Sequence, residues 1–435
     1  MSDSAKRLLR MLDELGRVTD EPGKLTRTFL SPAMRRANRL VGSWMREAGL
    51  QVREDAVGNL IGRLPAVGAP LVGARGRRQA TPLQVKTLLL GSHLDTVRDA
   101  GKFDGPLGVL LPIVALAGLK RRGVTLPFHV EVLGFAEEEG VRFASAYLGS
   151  KGYCGKLSAT DLTICDADGI SVGEAIKRWN GPTTGRSGKR VGVNALHLKP
   201  PVTSNLLGYV EVHIEQGPVL EAKQFAVGVV SAIAGQSRFK LTWTGKAGHA
   251  GTTPMALRQD ALAGAAKFAL AAEKLARATA GLLATVGSLT VFPGAANVIP
   301  GEVVHTLDVR HAKDSARRAA LFKLGRLGHQ VAAKRGLKIA GQRTQDNGAV
   351  ACSPALTATL ARSVQAVQGK SLALVSGAGH DGVVMSALAP VAMLFVRCRD
   401  GLSHHPDEYA SAKDLEIALR VTVDFLLRLA ANPKL

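Results

Sequence analysis

Three times along this chain a short apolar run stops at side chains that bind metal ions or carry protons. Lys86–Leu90 opens into Gly91-Ser92-His93, and His129–Phe135 leads to Glu137-Glu138-Glu139-Gly140. Gly208–Ile214 carries His213 near its end and is followed by Glu215-Gln216. Apolar runs of this length, bounded by glycine and polar residues, predict buried strands. Gly108–Leu119 predicts a helix between the first two. Strands alternating with helices predict an α/β sheet, and ligands of such sheets collect beyond the carboxyl ends of the strands. The three polar segments are therefore expected to converge in space.

A different rhythm occupies residues 235–350. Phe239, Leu241 and Trp243 alternate as a strand, and Arg258–Thr279 reads as an Ala-rich helix. Strands are expected near Ala284–Phe292 and Val303–Arg310, then a helix over Ser315–Arg335 and a strand near Leu337–Thr344. The order β-α-β-β-α-β is that of the ferredoxin-like split unit. A chain of 435 residues exceeds one ordinary core. The expected organisation is an α/β domain built from 1–234 and 351–435, interrupted by an α+β domain at 235–350.

Charge enters the argument here. The formal net charge is +21, and the 235–350 segment holds 17 Lys and Arg against 6 Asp and Glu. A basic surface concentrates small anions near it. Short basic loops stand at Gly73–Arg78 and Gly185–Arg190, with no zinc finger, RNP-like aromatic strand or basic heptad beside them. Specific nucleic-acid binding is therefore not expected, and a basic metal-binding protein that engages nucleic acid is the distant alternative. Apolar stretches such as Val109–Leu119 are too short to span a bilayer. Met1–Arg17 reads as a surface helix without a cleavable apolar core, which points to the cytoplasm. Cys154, Cys165, Cys352 and Cys398 form no CxxC pair and read as small buried thiols of a reduced protein.

The polar segments have the chemistry of a metal centre. His93-Leu94-Asp95 places a carboxylate where it can hold the second nitrogen of a ligating imidazole. Asp104, in the Gly-flanked turn Lys102-Phe103-Asp104-Gly105, has two oxygens to offer to two ions. Adjacent carboxylates at Glu137, Glu138 and Glu139 repel one another unless cations are near. Ser403-His404-His405-Pro406 adds further imidazoles. Any one of these motifs alone is ordinary; together, His93, Asp104, Glu139, His213 and His404 supply three ligands to each of two ions, with Asp104 counted twice. A second Glu beside the ligand Glu is what a general base for a metal-activated water requires.

With these motifs in place, the chain resembles the M20 metallopeptidase family in its hydantoinase/carbamoylase branch. That branch holds allantoate amidohydrolases, N-carbamoyl-L-amino acid hydrolases and β-ureidopropionases. The matching segments run in order: Gly91–Thr96, Phe103–Gly105, Glu138–Phe143, His213–Pro218, Gly248–Met255, Ser376–Asp381 and Ser403-His404. The resemblance implies an M20-type catalytic domain with a central mixed sheet, and an inserted ferredoxin-like lid through which the chain forms a homodimer. It assigns one ion to His93, Asp104 and His213 and the other to Asp104, Glu139 and His404. Zinc or manganese suits such ligands, as do cobalt and nickel. Glu138 matches the general base, since the family's Glu pair directly precedes the Gly, and Asp95 matches the partner of His93. His405 leaves a choice of imidazole, which the Ser-His order resolves toward His404. His249 matches an oxyanion-stabilising residue, and Gln216, Asn297 and Arg310 match substrate contacts. His380 and Asp381 are expected to support the site from behind. His129, His197, His305, His311 and His329 lie outside these motifs and are expected to be structural or exposed.

The expected activity is hydrolysis of a ureido C–N bond in a small carboxylate, with ammonia and carbon dioxide as products. Allantoate is the first choice of substrate, because Thr96–Lys102 and Leu394–Cys398 look most like bacterial allantoate amidohydrolases. An N-carbamoyl-L-amino acid or a β-ureidopropionate is the alternative.

Overall fold

The computed structural model describes residues 2–66, 85–181 and 205–432, so the two basic loops and His197 lie outside it. The chain divides into two compact units, Met1–Ser231 with Cys352–Leu435, and Ala232–Ala351. In chain order the first strands are β1 (Gln51–Glu54), β2 (Leu60–Leu64), β3 (Thr87–His93), β4 (His129–Phe135), β5 (Leu206–Ile214) and β6 (Val227–Ile233). The second unit holds β7 (Gly235–Thr244), β8 (Gly248–His249), β9 (Leu283–Thr285), β10 (Leu289–Phe292), β11 (Val298–Ile299), β12 (Glu302–His311), β13 (Lys338–Asn347) and β14 (Val350–Ala351). Then follow β15 (Ala373–Ser376) and β16 (Val391–Val396).

The large sheet is mixed, in the order β1-β2-β4-β3-β5-β16-β6-β14 with β15 beside β6. Its centre, β4-β3-β5-β16, is parallel. Every residue of β3 is buried, as a strand covered on both faces must be. Because these four strands are parallel, their carboxyl ends open on one edge of the sheet. Leu90 pairs with Val210 across β3 and β5. Three residues further on in each strand stand His93 and His213, on the same side of the pleat. On the far side of β5, Phe395 of β16 pairs with His213.

The helix Pro106–Arg121 starts immediately after Asp104-Gly105 and is apolar on all sides. It packs on β3 and β5, and also contacts the helices Asp3–Gly16 and Ala412–Ala431. A helix sandwiched in this way keeps no polar face. The outer helices are amphipathic, and their N-termini are closed by Ser2 and Ser411, whose side chains accept from the N–H of Ala5 and Asp414.

In the second unit the sheet order is β10-β12-β7-β13, with β9 also on β12. The helices Ala261–Arg277 and Asp314–Lys334 contact each other and this sheet, around a core that includes Trp243, Phe268, Val303 and Leu324. The single strand expected over Ala284–Phe292 is in fact two. Its first part pairs with β12 at Asp308 and its second at His305, and the chain between them leaves the ladder where Ser288 N–H donates to Thr306 Oγ1 at 3.0 Å. Among the cysteines, Cys154, Cys352 and Cys398 are buried, but Cys165 is exposed. It sits in a bridge opposite Ser171, outside any apolar run.

Gly91 shows how tightly the ligand-bearing strand is held: a Cβ there would collide with the carbonyl oxygen of Leu133 in β4. Backbone cannot yield as a flexible side chain can, so Gly91→Ala is expected to destabilise the protein by about 1–3 kcal/mol. Urea unfolding followed by circular dichroism measures this.

Candidate functional site

Asp104 is the hub of the carboxyl edge. Its Oδ1 lies 3.1 Å from His213 Nε2 and 3.6 Å from His93 Nε2, and its Oδ2 lies 3.2 Å from His404 Nε2. His93 and His213 are each tied through the other ring nitrogen. His93 Nδ1 donates to the Asp95 carbonyl at 3.0 Å, and His213 Nδ1 to the Ile214 carbonyl at 2.9 Å. These partners assign the proton to Nδ1 and turn the Nε2 lone pairs toward Asp104. Burial works against charge on Asp104, but His213, His404 and His93 outweigh it and hold the carboxyl well below its usual range. For His213, burial works against a proton and Asp104 works for one, with a net upward shift.

The acidic loop after β4 is sorted by its backbone. Glu137 receives Gly140 N–H on one oxygen and Leu148 N–H, at 3.1 Å, on the other, so its carboxylate anchors the turn. Asp95 accepts the N–H of Glu138 at 3.0 Å and of Glu139 at 3.2 Å while its Oδ1 stands 3.3 Å from His93 Nδ1. One carboxylate thereby orients an imidazole and two glutamates. Glu139 comes within 3.6 Å of His404 Nε2. Burial pushes the Glu139 carboxyl up to about 7, with Asp104 adding to it. Burial followed by the Glu139 charge drives Glu138 well above the ordinary range. So many carboxyls in a dry site are unstable as anions without compensating cations.

The donor set fits divalent ions. His93, Asp104 and His213 can each present a ligand atom within 4.8 Å of the others, and so can Asp104, Glu139 and His404. His93 also groups in this way with Glu138 and Glu139. His213 Nε2 is buried and makes no hydrogen bond, although Asp104 Oδ1 is close by. At that distance the pair calls for a proton or a metal cation between the two atoms. Imidazole and carboxylate together suit zinc and its first-row neighbours. His405 is not part of the cluster. Its Nδ1 accepts Asp407 N–H at 3.1 Å and its side chain is exposed. His380 donates to Ser376 Oγ at 2.8 Å, since that hydroxyl gives its own proton to the Ala378 carbonyl. The His380 ring packs edge-on against His213, with centroids 4.5 Å apart.

Two supporting residues carry no signal in the sequence. Glu408 is buried and takes the N–H of Phe103 and of Asp104, both at 3.0 Å. Its other oxygen and Asp104 Oδ2 each lie 2.9 Å from Ser403 Oγ, so the loop bearing His404 is fastened to the loop bearing Asp104. Arg27, fully buried, donates to the Leu94 and Val18 carbonyls, while its backbone exchanges hydrogen bonds with Thr96. It clamps the turn that follows His93. Glu408 follows the Ser-His motif at a spacing that carries no signal by itself, and Arg27 has no local signal at all.

Gln216 stands in the cluster, but its amide group donates to Asp104 Oδ2 at 3.0 Å and to Ser403 Oγ at 3.2 Å. Its observed contact is with the carboxylate hub. His249, Asn297 and Arg310 belong to the second unit. There β8 pairs with β11, and Ala250 N–H donates to the Asn297 carbonyl at 2.9 Å. His249 Nδ1 accepts the N–H of Gly251 at 3.0 Å and of Thr252 at 3.2 Å, which puts the ring proton on Nε2. Arg310 grips Asp308 with Nε and Nη2, each at 2.9 Å, so that edge of its fork is occupied. Of the remaining histidines, His305 accepts from Trp243 Nε1 at 3.0 Å, His129 accepts from Ala66 N–H at 2.9 Å and His311 accepts from Lys313 N–H at 2.8 Å. His329 is exposed.

The chain is similar to known proteins over most of its length. Residues 89–428 match Peptidase family M20/M25/M40. Allantoate deiminase 2 of Glycine max is 39% identical over 96% of this chain and 88% of its own length. An N-carbamoyl-L-amino acid amidohydrolase of Geobacillus stearothermophilus is 38% identical over 98% of both. Among solved structures, an amidase of the hydantoinase/carbamoylase family from Burkholderia multivorans superposes with a TM-score of 0.86 at 32% identity, covering 98% of each chain.

The shared hub makes distinct losses for distinct substitutions. Asp104→Ala is expected to abolish binding at both ion sites, and His213→Ala to lower bound ions from two per chain to one. His405→Ala should leave the content unchanged. Elemental analysis after dialysis against manganese or zinc measures all three.

Proposed function

The chain belongs to peptidase family M20/M25/M40, and from that premise we propose that it hydrolyses the ureido C–N bond of a small carboxylate, allantoate first among them, releasing ammonia and carbon dioxide. It is a hydrolase of non-peptide C–N bonds. The observation that carries the reading is the pair of ligand trios meeting at Asp104, with Glu138 beside them and outside both.

In this reading His93, Asp104 and His213 hold one divalent ion, and Asp104, Glu139 and His404 hold the other. When bound, such a pair supplies Lewis-acid charge and lowers the pKa of a water to near 7. Glu138 takes the proton of the attacking water and delivers it to the leaving nitrogen. A carboxyl whose affinity for protons is raised by burial is suited to both halves of that transfer. Asp95 keeps Glu138 in place through its backbone N–H and keeps His93 in the tautomer that presents Nε2.

The second unit is assigned as lid and dimerisation domain. Its strand and helix order is that of the split βαββαβ unit. His249, with its proton on Nε2, is a donor suited to an oxygen that gains negative charge. Asn297 and Arg310 are assigned to the substrate, Arg310 as a planar guanidinium whose geometry suits a carboxylate. Gln216 is assigned there through its carbonyl, its amide N–H being engaged. A second substrate reading, an N-carbamoyl-L-amino acid, is favoured by the Geobacillus relative. Among the described residues no helix is long and apolar enough to cross a membrane.

Glu138→Gln keeps shape and ligands but cannot accept a proton. It is expected to retain two ions per chain and to lose at least about 10²-fold in kcat. Ammonia release from allantoate and elemental analysis, run on the same preparation, test this; undiminished turnover would remove Glu138 from the mechanism.

A further inference from the structure

Tyr147 occupies a place that chain geometry disfavours. It leads into the helix Leu148–Tyr153 with φ at 69°, in the left-handed region. That conformation is costly for a residue with a Cβ, and is kept where the surroundings over-determine it. Here they do. Tyr147 N–H donates to the Glu138 carbonyl at 3.2 Å, Leu148 N–H to the Glu137 carboxylate at 3.1 Å, and Gly149 N–H to the Glu137 carbonyl at 3.1 Å. The backbone of Tyr147 is therefore held to that of Glu138 by the same turn that presents the acidic residues.

The side chain is half-buried, and its hydroxyl reaches Gly379 so closely that a Cβ there would overlap it. This gives the Ser376–Asp381 segment a second task besides supporting His213: Gly379 makes room for the phenol. Burial first, and then the charges of Glu138, Asp381, Glu211 and Glu139, push the phenol above the ordinary tyrosine range, so it stays a neutral donor. Among the described residues nothing hydrogen-bonds to the hydroxyl. A donor left unpartnered by the described residues, on the turn that carries the assigned base, is available to a bound molecule.

We propose that Tyr147 determines specificity, its hydroxyl hydrogen-bonding a second polar arm of the substrate beside Glu138. The inference rests on the ureido-hydrolase reading and sharpens it. A compound with a second ureido group satisfies the phenol, whereas one with a methyl group in that place leaves a half-buried donor unpaired. A site built to bond a polar group discriminates against analogues that lack it. Allantoate belongs to the first class and N-carbamoyl-L-alanine to the second.

Tyr147→Phe removes the hydroxyl and keeps the ring. With manganese-loaded protein, KM for allantoate should rise about tenfold or more with kcat little changed, while N-carbamoyl-L-alanine stays within about twofold and ion content is unaltered. A merely structural tyrosine would move both substrates together. Equal effects on the two, no effect on either, or a wild type that uses only N-carbamoyl-L-alanine would each overturn the assignment. Ammonia release from neither compound by the wild type would instead sink the ureido reading. Calorimetric titration of both compounds into wild type and Tyr147→Phe then still decides the role of the residue, which falls if the two proteins bind them alike.

Discussion

A single buried carboxylate, Asp104, faces three imidazoles, and the edge of the large sheet is arranged around that fact. Its two oxygens point to different partners, Oδ1 to His93 and His213 and Oδ2 to His404. The histidines come from different segments: two from adjacent parallel strands, the third from a loop some 300 residues beyond Asp104. Without cations the cluster is poorly balanced. His213 Nε2 and Asp104 Oδ1 stand 3.1 Å apart without an assigned hydrogen bond, and Glu138 and Glu139 are driven toward protonation by burial. Such unfavourable terms persist in a folded protein where ligand binding offsets them.

Around this hub the polar groups form a connected scaffold. Asp95 gathers His93, Glu138 and Glu139; Glu408 gathers Phe103, Asp104 and Ser403; Glu137 closes the turn that carries both glutamates and Tyr147. Each is a carboxylate accepting backbone N–H groups, the interaction that best satisfies a buried anion short of an ion pair. The same residue type thus serves two purposes at one site. Carboxylates that face N–H groups set the geometry, and those that face imidazoles or nothing are left for chemistry. Adjacent residues in sequence, Glu137, Glu138 and Glu139, fall into different classes because successive side chains leave the turn in different directions.

The second unit repeats the logic on a smaller scale. His249 is oriented by two backbone N–H groups nearby in the chain, and Arg310 is gripped by a carboxylate two residues away. The family relationship gives this geometry its context, since relatives alike over nearly the whole chain act on allantoate and on N-carbamoyl-L-amino acids by name. What distinguishes those substrates is the group beyond the shared ureido and carboxylate. A specificity determinant is therefore to be sought among side chains outside both ligand trios, and Tyr147 is such a side chain.

The sequence by itself determined that β3, β4 and β5 are strands, because uniform apolar runs ended by His, Glu or Gly leave little choice of structure. His129–Phe135 is a strand with the bounds read from the sequence, and the helix after Asp104 runs slightly beyond its expected limits. It also determined the donor types, since imidazole and carboxylate side chains announce their chemistry wherever they stand. Only the tertiary structure decided which of them meet. His405 and Glu137 were as eligible by type as His404 and Glu138, and they are separated by where backbone N–H groups capture their side chains. Glu408 and Arg27 were illegible for the same reason: they act through partners far away along the chain or on backbone atoms, and pairings of that kind exist only once the sheet has closed.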